Sequence, residues 1–266
     1  DVTVGFQAAE HERTGQALRV TSDGTALLFS DPLLSEQDSS VYSFSRAFDG
    51  IGRTLREGGM DQNALVRTWL YLENILRDYD ALNAARKMFF DPWRPADAPF
   101  MPASTGIEGR TPASKPLSVQ FCAFSGNHLS IRQQPSPLQN EATAYGKLFS
   151  RCAVVEFPRS RLAYISGTAA IDKDGRSLYP GDLEKQMKFT LEVLSAILRE
   201  LNGHYAHTAQ AVVYLRRHQD LDLSRLILMQ ADFPVERCQF LADTTVCRDE
   251  LLCEIELTAV TEHAHL

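Results

Sequence analysis

The chain has 266 residues, of which 44% are hydrophobic, and a formal net charge of -7. This length suits two modest domains or one large domain, and the hydrophobic content excludes an intrinsically disordered chain. The acidic balance without a Lys/Arg stripe argues against a nucleic-acid-binding surface, whereas a small anionic substrate needs only a few well-placed arginines.

Localisation and metal binding are both constrained by simple patterns. The sequence has no run of about 18 apolar residues, so it predicts no transmembrane helix and no membrane partner. Its first residues lack a basic segment followed by an apolar one, so no secretory signal is predicted. The five cysteines show no CxxC spacing, which disfavours zinc or a disulfide framework and predicts a reducing cytoplasm. His204 and His207 have no third ligand nearby, so no metal site is predicted.

In the first half, strands alternate with amphipathic helices. Asp23-Gly24 favours a hairpin turn between two short strands, and apolar residues at three-and-four spacing indicate each helix. In chain order, the sequence predicts strands at 17–21 and 25–30, a helix at 41–57, a strand at 64–72, a helix at 77–90, prolines that break the chain from Pro92 through Pro95 and Pro99 to Pro102, and a strand at 115–125.

The second half repeats this order after a polar connecting segment, 132–146. The predicted elements are strands at 152–156 and 162–168, a helix at 183–201, a strand at 209–215, a helix at 221–231, and strands that begin at Cys238 and Leu251.

Identical short sequence segments support an internal duplication. Leu55-Arg56-Glu57 recurs as Leu198-Arg199-Glu200, an offset of 143 residues, and the same offset carries Tyr71-Leu72 onto Tyr214-Leu215. We therefore predict an α+β protein with two tandem units, 1–131 and 132–266. Each unit is expected to pack two helices on one face of a mixed sheet, leaving the other face to bury against its twin or another subunit.

The segment ADTTVCRDELLCEIE, 242–256, places two carboxylates on one strand face. Strand alternation puts Glu254 and Glu256 on the side opposite Cys253 and Ile255. One interpretation is a half-exposed strand whose glutamates contact water, and the other is that one glutamate acts as an acid catalyst.

Several short sequence motifs, and their order along the chain, resemble those of the YjgF (Rid) superfamily. SGTAA, LYPGDLEKQMKFTLEVLSAIL and the closing ADTTVCRDELLCEIELTAV look like its strand, long helix and closing strands. VCR..LL.EIE, SPLQNEATAYGKLFSR and the first-half run RTWLYLENILRDYDALNAARKMFF with PASTGIEG resemble the two-domain chorismatases. The resemblance implies two YjgF-like units of the chorismate-mutase-like fold: a degenerate one at 1–131 and one at 132–266 that carries the active site.

The resemblance implies an enzyme that cleaves the enolpyruvyl ether of chorismate without a metal or organic cofactor. The products would be pyruvate and either a hydroxylated cyclohexadiene carboxylate or a hydroxybenzoate. Glu254 matches the family's glutamate and would protonate the terminal methylene carbon, which requires a raised pKa. Glu256 is assigned to structure or to solvent.

Substrate-binding candidates follow from the same resemblance, since chorismate carries two carboxylates. Arg151 matches a family arginine. Arg237 is displaced by one residue from the carboxylate-binding arginine of simpler Rid proteins, and Arg216 ends a strand. Tyr145 is a candidate to hydrogen-bond the substrate, or else an interdomain packing residue. Gly167 would allow the backbone to approach the substrate closely, or else it marks a strand bulge. Cys247 matches a position that resembles the hydroxybenzoate-forming branch, or else it is a buried small apolar residue.

Two alternatives remain open. A Rid-type 2-imino acid deaminase would use Arg237 for the carboxylate and Glu254 to orient water, in a symmetric oligomer with sites between subunits. A non-catalytic protein that binds a small carboxylate would retain the pocket without turnover. An enzyme is favoured, and both a monomer with paired internal repeats and a homo-oligomer such as a trimer fit the duplication.

Overall fold

The first half of the chain forms one mixed sheet with two helices. The computed structural model describes residues 9–93 and 100–263, so Pro95 and Pro99 lie outside the described residues. The elements of this half are β1 (Glu10–Thr14), β2 (Ala17–Ser22), β3 (Thr25–Ser30), β4 (Leu33–Leu34), α1 (Val41–Glu57), β5 (Leu65–Leu72), α2 (Ile75–Phe90), β6 (Ala103–Glu108) and β7 (Leu117–Gly126).

The second half repeats the arrangement. Its elements are β8 (Ser130–Gln133), β9 (Cys152–Glu156), β10 (Ser160–Thr168), α3 (Leu183–Glu200), β11 (Thr208–Leu215), α4 (Leu221–Gln230), β12 (Cys238–Leu241) and β13 (Cys253–Glu262). Because β8 pairs with β9, the 131/132 boundary of the predicted units falls inside this strand. The division of the chain at that point stays a prediction.

The two sheets have equivalent topology. The strand order is β1-β2-β3-β7-β5-β6 in the first, with β4 also paired to β7, and β12-β11-β13-β10-β9-β8 in the second. Each contains one parallel pair, β5 with β6 and β11 with β12. The duplication extends to the register, since Tyr71 lies opposite Ser118 and Tyr214 lies opposite Glu254. The predicted α+β fold with two mixed-sheet units is confirmed.

The layers follow from where the apolar residues point. One buried cluster joins α1 and α2 to the first sheet, and a second joins α3 and α4 to the other sheet. A third cluster lies between the helix-free faces of the two sheets and includes Val66, Phe124, Val155 and Leu162. Each sheet therefore buries its second face against its twin, which is one of the two arrangements that the repeat predicts.

Helix starts agree with capping chemistry. The side chains of Ser40, Asn74 and Asp182 accept hydrogen bonds from backbone N–H groups in the first turns of α1, α2 and α3. The cap at Asn74 explains why α2 begins two residues earlier than its apolar spacing predicts. No described helix is long and apolar enough to span a lipid bilayer.

Three first-half strands escaped prediction for identifiable reasons. β1 is solvent-exposed and polar, and β4 has only two residues. β6 reads ASTGIE, directly after prolines, and its small residues lack the β-branched and aromatic pattern typical of strands. The missing β6 matters most, because it contacts β10 of the other unit.

A buried serine connects the two units at this contact. Ser166 on β10 accepts a hydrogen bond from the backbone N–H of Ser104 on β6 at 2.8 Å, and its hydroxyl donates to the Ser150 carbonyl at 2.6 Å. The Ser166 side chain is fully buried. Both bonds therefore form away from water, where an unmade hydrogen bond is costly.

Replacing Ser166 tests this connection. We expect Ser166→Ala to lower the free energy of unfolding by about 1–3 kcal/mol, because a buried donor and a buried acceptor lose their partner. Thr261→Val is the control, since the buried Thr261 hydroxyl has no partner in the described residues. Chemical denaturation measures both variants, and equal losses would contradict the assignment.

Candidate functional site

The candidate site is a pocket between the two units. The first unit contributes α2 and β6, and the second contributes β10, β13, the segment 140–151 and the loop before β13. Its lining includes Tyr79, Arg86, Ser104, Gly106, Tyr145, Lys147, Phe149, Arg151, Gly167, Cys247, Arg248 and Glu254. The sequence assigned the site to the second unit, but the pocket needs side chains from both.

Glu254 lies on a central strand and faces this pocket. Its neighbours Cys253 and Ile255 point to the opposite face and pack in the cluster with α3 and α4, as strand alternation predicts. Only 5% of Glu254 is exposed, and its carboxyl has no hydrogen-bond partner in the described residues. The interpretation of a strand whose glutamates contact water is therefore wrong.

Burial controls the protonation of Glu254. Desolvation, with a smaller contribution from the nearby Glu256 charge, raises its pKa to about 8, while Arg67 and Arg151 oppose the rise. At neutral pH the protonated carboxyl is therefore the major form. A neutral carboxylic acid that faces a pocket is able to act as a proton donor.

Gly167 leaves the space that the Glu254 carboxyl occupies. It lies where the register of β10 against β13 shifts, between Ile165 and Thr168. A Cβ added at Gly167 would lie 1.9 Å from Glu254 Oε1. The structure thus combines both interpretations of this glycine, a bulge and a close approach, although the group that approaches is a side chain of the protein.

Arg151 is buried and its orientation is fixed. Its Nε donates to the Asn140 carbonyl at 3.1 Å, and its Nη2 donates to the Tyr145 hydroxyl. The guanidinium carbon lies 5.7 Å from the Tyr145 ring centroid and 5.6 Å from that of Phe149. Tyr145 and Arg151 thus form one preorganised group at the pocket wall.

Three further cations surround the pocket. Arg86 is almost completely buried against Phe149, and burial lowers its pKa. The Lys147 ammonium lies 4.7 Å from the Tyr79 ring centroid, and burial lowers the pKa of Lys147. Arg248 donates to the Gly175 carbonyl at 2.6 Å.

In the described part of the chain, the hydrogen-bond and ring partners of these four cations are carbonyls, hydroxyls and aromatic rings. Asp80 and Glu141 act on Lys147 and Arg151 at longer range, without forming an ion pair with either side chain. The one acid in the lining is Glu254. A pocket with several cations that form no close ion pair and with a protonated acid is suited to bind a small multivalent anion.

Comparisons with known proteins agree with this architecture. A chorismatase whose crystal structure was determined at 1.08 Å resolution has a TM-score of 0.73 and 22% identity, with coverage of 94% of this chain and 79% of that chain. The chain has the chorismatase fold. The predicted resemblance to the YjgF/Rid superfamily and its chorismatase group is therefore confirmed at the level of the fold.

Other similarities cover one unit's length. The RutC family protein UK114 of Drosophila melanogaster is 29% identical over 104 residues, 38% of this chain and 73% of that protein. A YjgF-family structure from Neisseria meningitidis is 21% identical, covering 52% of this chain and 100% of that chain, with a TM-score of 0.39. No protein-family model matches the sequence.

Within this chorismatase fold, five of the predicted site residues converge: Glu254, Arg151, Tyr145, Gly167 and Cys247. Cys247 also packs against both the first-unit core and the small apolar cluster beside the pocket. Desolvation raises the pKa of its thiol to about 12. Cys247 thus forms a neutral, mostly apolar part of the pocket wall.

The other two predicted arginines lie outside the pocket. Arg237 donates to the backbone carbonyls of Ala206 and Thr208 at 3.1 and 2.6 Å. The next residue, Cys238, lies level with Leu257 in the sheet, three positions along β13 from Glu254. Arg216 forms an ion pair with Asp249 at 2.6 Å. Their assignments to the site are corrected, because each already has local partners elsewhere.

The missed Arg86 carried a detectable signal. On α2, the buried stripe runs through Leu82, Arg86 and Phe90, whereas Met88 is 61% exposed. A charged residue at helical spacing on an apolar stripe is a marker of a buried, specialised position. Lys147 and Arg248 lie in irregular segments and gave no comparable signal.

The first unit has no carboxyl group at the position equivalent to Glu254. The repeat places Ser118 at the first-unit position equivalent to Glu254, because both lie opposite the equivalent tyrosines of β5 and β11. Ser118 cannot donate a proton as a carboxylic acid does. The two units thus share a scaffold but differ at the chemical position.

A substitution at Gly167 tests how the carboxyl is held. We expect Gly167→Ala to push the Glu254 carboxyl toward the pocket cations and to lower its pKa by about 1 unit or more. The carboxyl 13C resonance, assigned by its loss in Glu254→Gln, reports the titration.

Gly106→Ala is the matched control, because a Cβ there would meet only Ile75 Cδ1, at 3.9 Å. An unchanged titration in Gly167→Ala, or an equal shift in Gly106→Ala, would contradict the contact.

Proposed function

We propose that this protein is an enzyme that cleaves the enolpyruvyl ether of chorismate, with Glu254 as the general acid. The observation that carries the proposal is the juxtaposition of this buried, protonated carboxyl with the four cations Arg86, Lys147, Arg151 and Arg248. The fold of the related chorismatase supports the same reaction class.

The reaction requires an acid strong enough to protonate carbon but still protonated near neutral pH. Glu254 transfers its proton to the terminal methylene carbon of the enol ether, and the C=C electron pair forms the new C–H bond. The ether carbon becomes an oxocarbenium-like cation, which the Glu254 carboxylate stabilises. Water adds to this cation and returns a proton to Glu254, and the hemiketal collapses to pyruvate and a hydroxylated cyclohexadiene carboxylate.

The pocket cations are suited to neutralise the negative charge of the substrate. Chorismate carries two carboxylates, and guanidinium groups bind carboxylates through paired N–H donors. Arg151, fixed by Tyr145 and Asn140, is our first assignment for one carboxylate. Arg86, from the opposite unit, supplies charge for the other. The cations of both units are then required for one substrate.

The proposal also covers the ring product, the number of chains that form the site and the cellular compartment. Cys247 lies in the pocket at the position that resembles the hydroxybenzoate-forming branch, so both ring products are retained as outcomes of the assay. Since one chain supplies both walls of the pocket, we propose that the site works within a single chain. The free cysteines suit a reducing cytoplasm.

The alternatives have weaker support. A 2-imino acid deaminase of the type considered above needs Arg237 beside Glu254, and Arg237 instead binds backbone carbonyls of Ala206 and Thr208. A binding protein without turnover would use the same cations but would not need a carboxylic acid at Glu254.

Pyruvate release from chorismate tests the proposal directly. We expect Glu254→Gln to lower the rate by about 100-fold or more, because the amide cannot donate the proton to carbon. Glu250→Gln, at an exposed glutamate in the loop before β13, should retain activity. No pyruvate above the Glu254→Gln background in the unmodified protein would refute the chemistry.

The pH dependence provides a second test. Because the protonated form of Glu254 is required and its pKa is about 8, the rate should fall as pH rises through this value. The slope should approach a tenfold loss per pH unit on the alkaline side. A rate that is flat or increasing through this range would exclude Glu254 as the acid.

A further inference from the structure

A buried ion pair lies on the same strand face as Glu254. Arg67 on β5 of the first unit places Nη2 2.6 Å from Glu256 Oε2, and both side chains are at most 10% exposed. Trp69 Nε1 donates to the other carboxylate oxygen, Oε1, at 3.0 Å. Both oxygens of Glu256 are thus held by residues of the opposite unit.

This pair is connected to the acid by a short chain of contacts. Arg67 Nη2 also donates to the Thr105 hydroxyl, and that oxygen accepts the Gly167 N–H at 2.9 Å. Gly167 in turn is the residue whose missing side chain leaves room for the Glu254 carboxyl. One arginine therefore contacts both the neighbouring carboxylate and the backbone support of the acid.

The pair is poorly explained by stability alone. Burying two charges costs several kcal/mol per ion in desolvation, and apolar replacements are often equally stable. Glu256 is two residues from Glu254, about 7 Å along the strand. At that separation, in a buried site, each charge of the pair acts on the ionisation of Glu254.

We propose that Arg67 and Glu256, which do not line the pocket, are positioning residues that set the proton affinity of Glu254. Glu256 favours the protonated acid and Arg67 opposes it, while Thr105 transmits the position of Arg67 to Gly167. The inference rests on the proposed function for its catalytic meaning, but the electrostatic coupling is measurable without turnover.

Other charged and titratable groups line the pocket or couple to Glu254 or to the pair. They are Tyr79 and Arg86 of α2, Tyr145, Lys147 and Arg151 of the connecting segment, Cys247 and Arg248 of the preceding loop, Cys253 of β13, and Tyr71 and Tyr214 of the adjoining strands. All of these remain in variants of the pair. A change in the titration of Glu254 in such variants therefore reports the pair itself.

The test is the carboxyl titration of Glu254 in three variants of the unliganded protein, followed by 13C NMR. Glu256→Gln should lower the midpoint by about 1 unit, because it removes a negative charge and leaves Arg67 unpaired. Arg67→Gln should raise the midpoint by a similar amount. The double variant Arg67→Gln/Glu256→Gln should lie between them and above Glu256→Gln.

Opposite signs separate an electrostatic role from general damage, which would shift both single variants alike. If Arg67→Gln does not fold, the comparison of Glu256→Gln with the double variant decides, because neither contains an unpaired buried carboxylate at 256. An unchanged midpoint in Glu256→Gln, or equal midpoints in that variant and the double variant, would overturn the inference.

The same variants separate this inference from the proposed function. Opposite shifts in a protein that releases no pyruvate would support the coupling and refute the chorismate reaction. Pyruvate release with no shift would refute the coupling alone. In an active enzyme, the alkaline limb of the rate should move to lower pH in Glu256→Gln.

Discussion

The contact between the helix-free faces of the two sheets is the constraint on which the site depends. It removes one face of β13 from water, so the two carboxyl groups on that face, Glu254 and Glu256, lose their hydration. Burying a charged carboxylate without partners is costly, and the group either pairs or becomes protonated. The protein uses both solutions within three residues: Glu256 pairs with Arg67 and Trp69, and Glu254 retains its proton.

Duplication alone does not generate this site. The two units share strand order, register and helix placement, yet the first has Ser118 where the second has Glu254. The first unit contributes instead through α2 and β6, which supply the opposite pocket wall. Divergence of the repeats therefore separates the tasks: one unit carries the acid, while the other supplies Arg86 and, through Arg67, the partner of Glu256.

Local pattern predicted the fold well and the site only in part. Helical spacing located α1, and strand alternation assigned Glu254 and Glu256 to one face, because both features depend on near neighbours in the chain. Whether that face met water depended on packing between units, which strand alternation does not encode. Arg237 and Arg216 do not line the pocket, because their side chains bind the Ala206 and Thr208 carbonyls and the Asp249 carboxylate within the second unit. Arg86 was missed although its helical position marked it.

The charges that line the pocket conflict with the usual requirements for stability. Arg86, Lys147, Arg151 and Arg248 repel one another, and the buried acid between them lacks a hydrogen-bond partner in the described residues. Natural proteins concentrate such conflicts at functional positions and compensate for them elsewhere. Here the compensation comes from rigid surroundings: the sheet contact, the Ser166 hydrogen bonds and the fixed Arg151–Tyr145 group. Because these elements hold the cations in place, the proposed anionic substrate would bind to preorganised charge with little reorganisation of the protein.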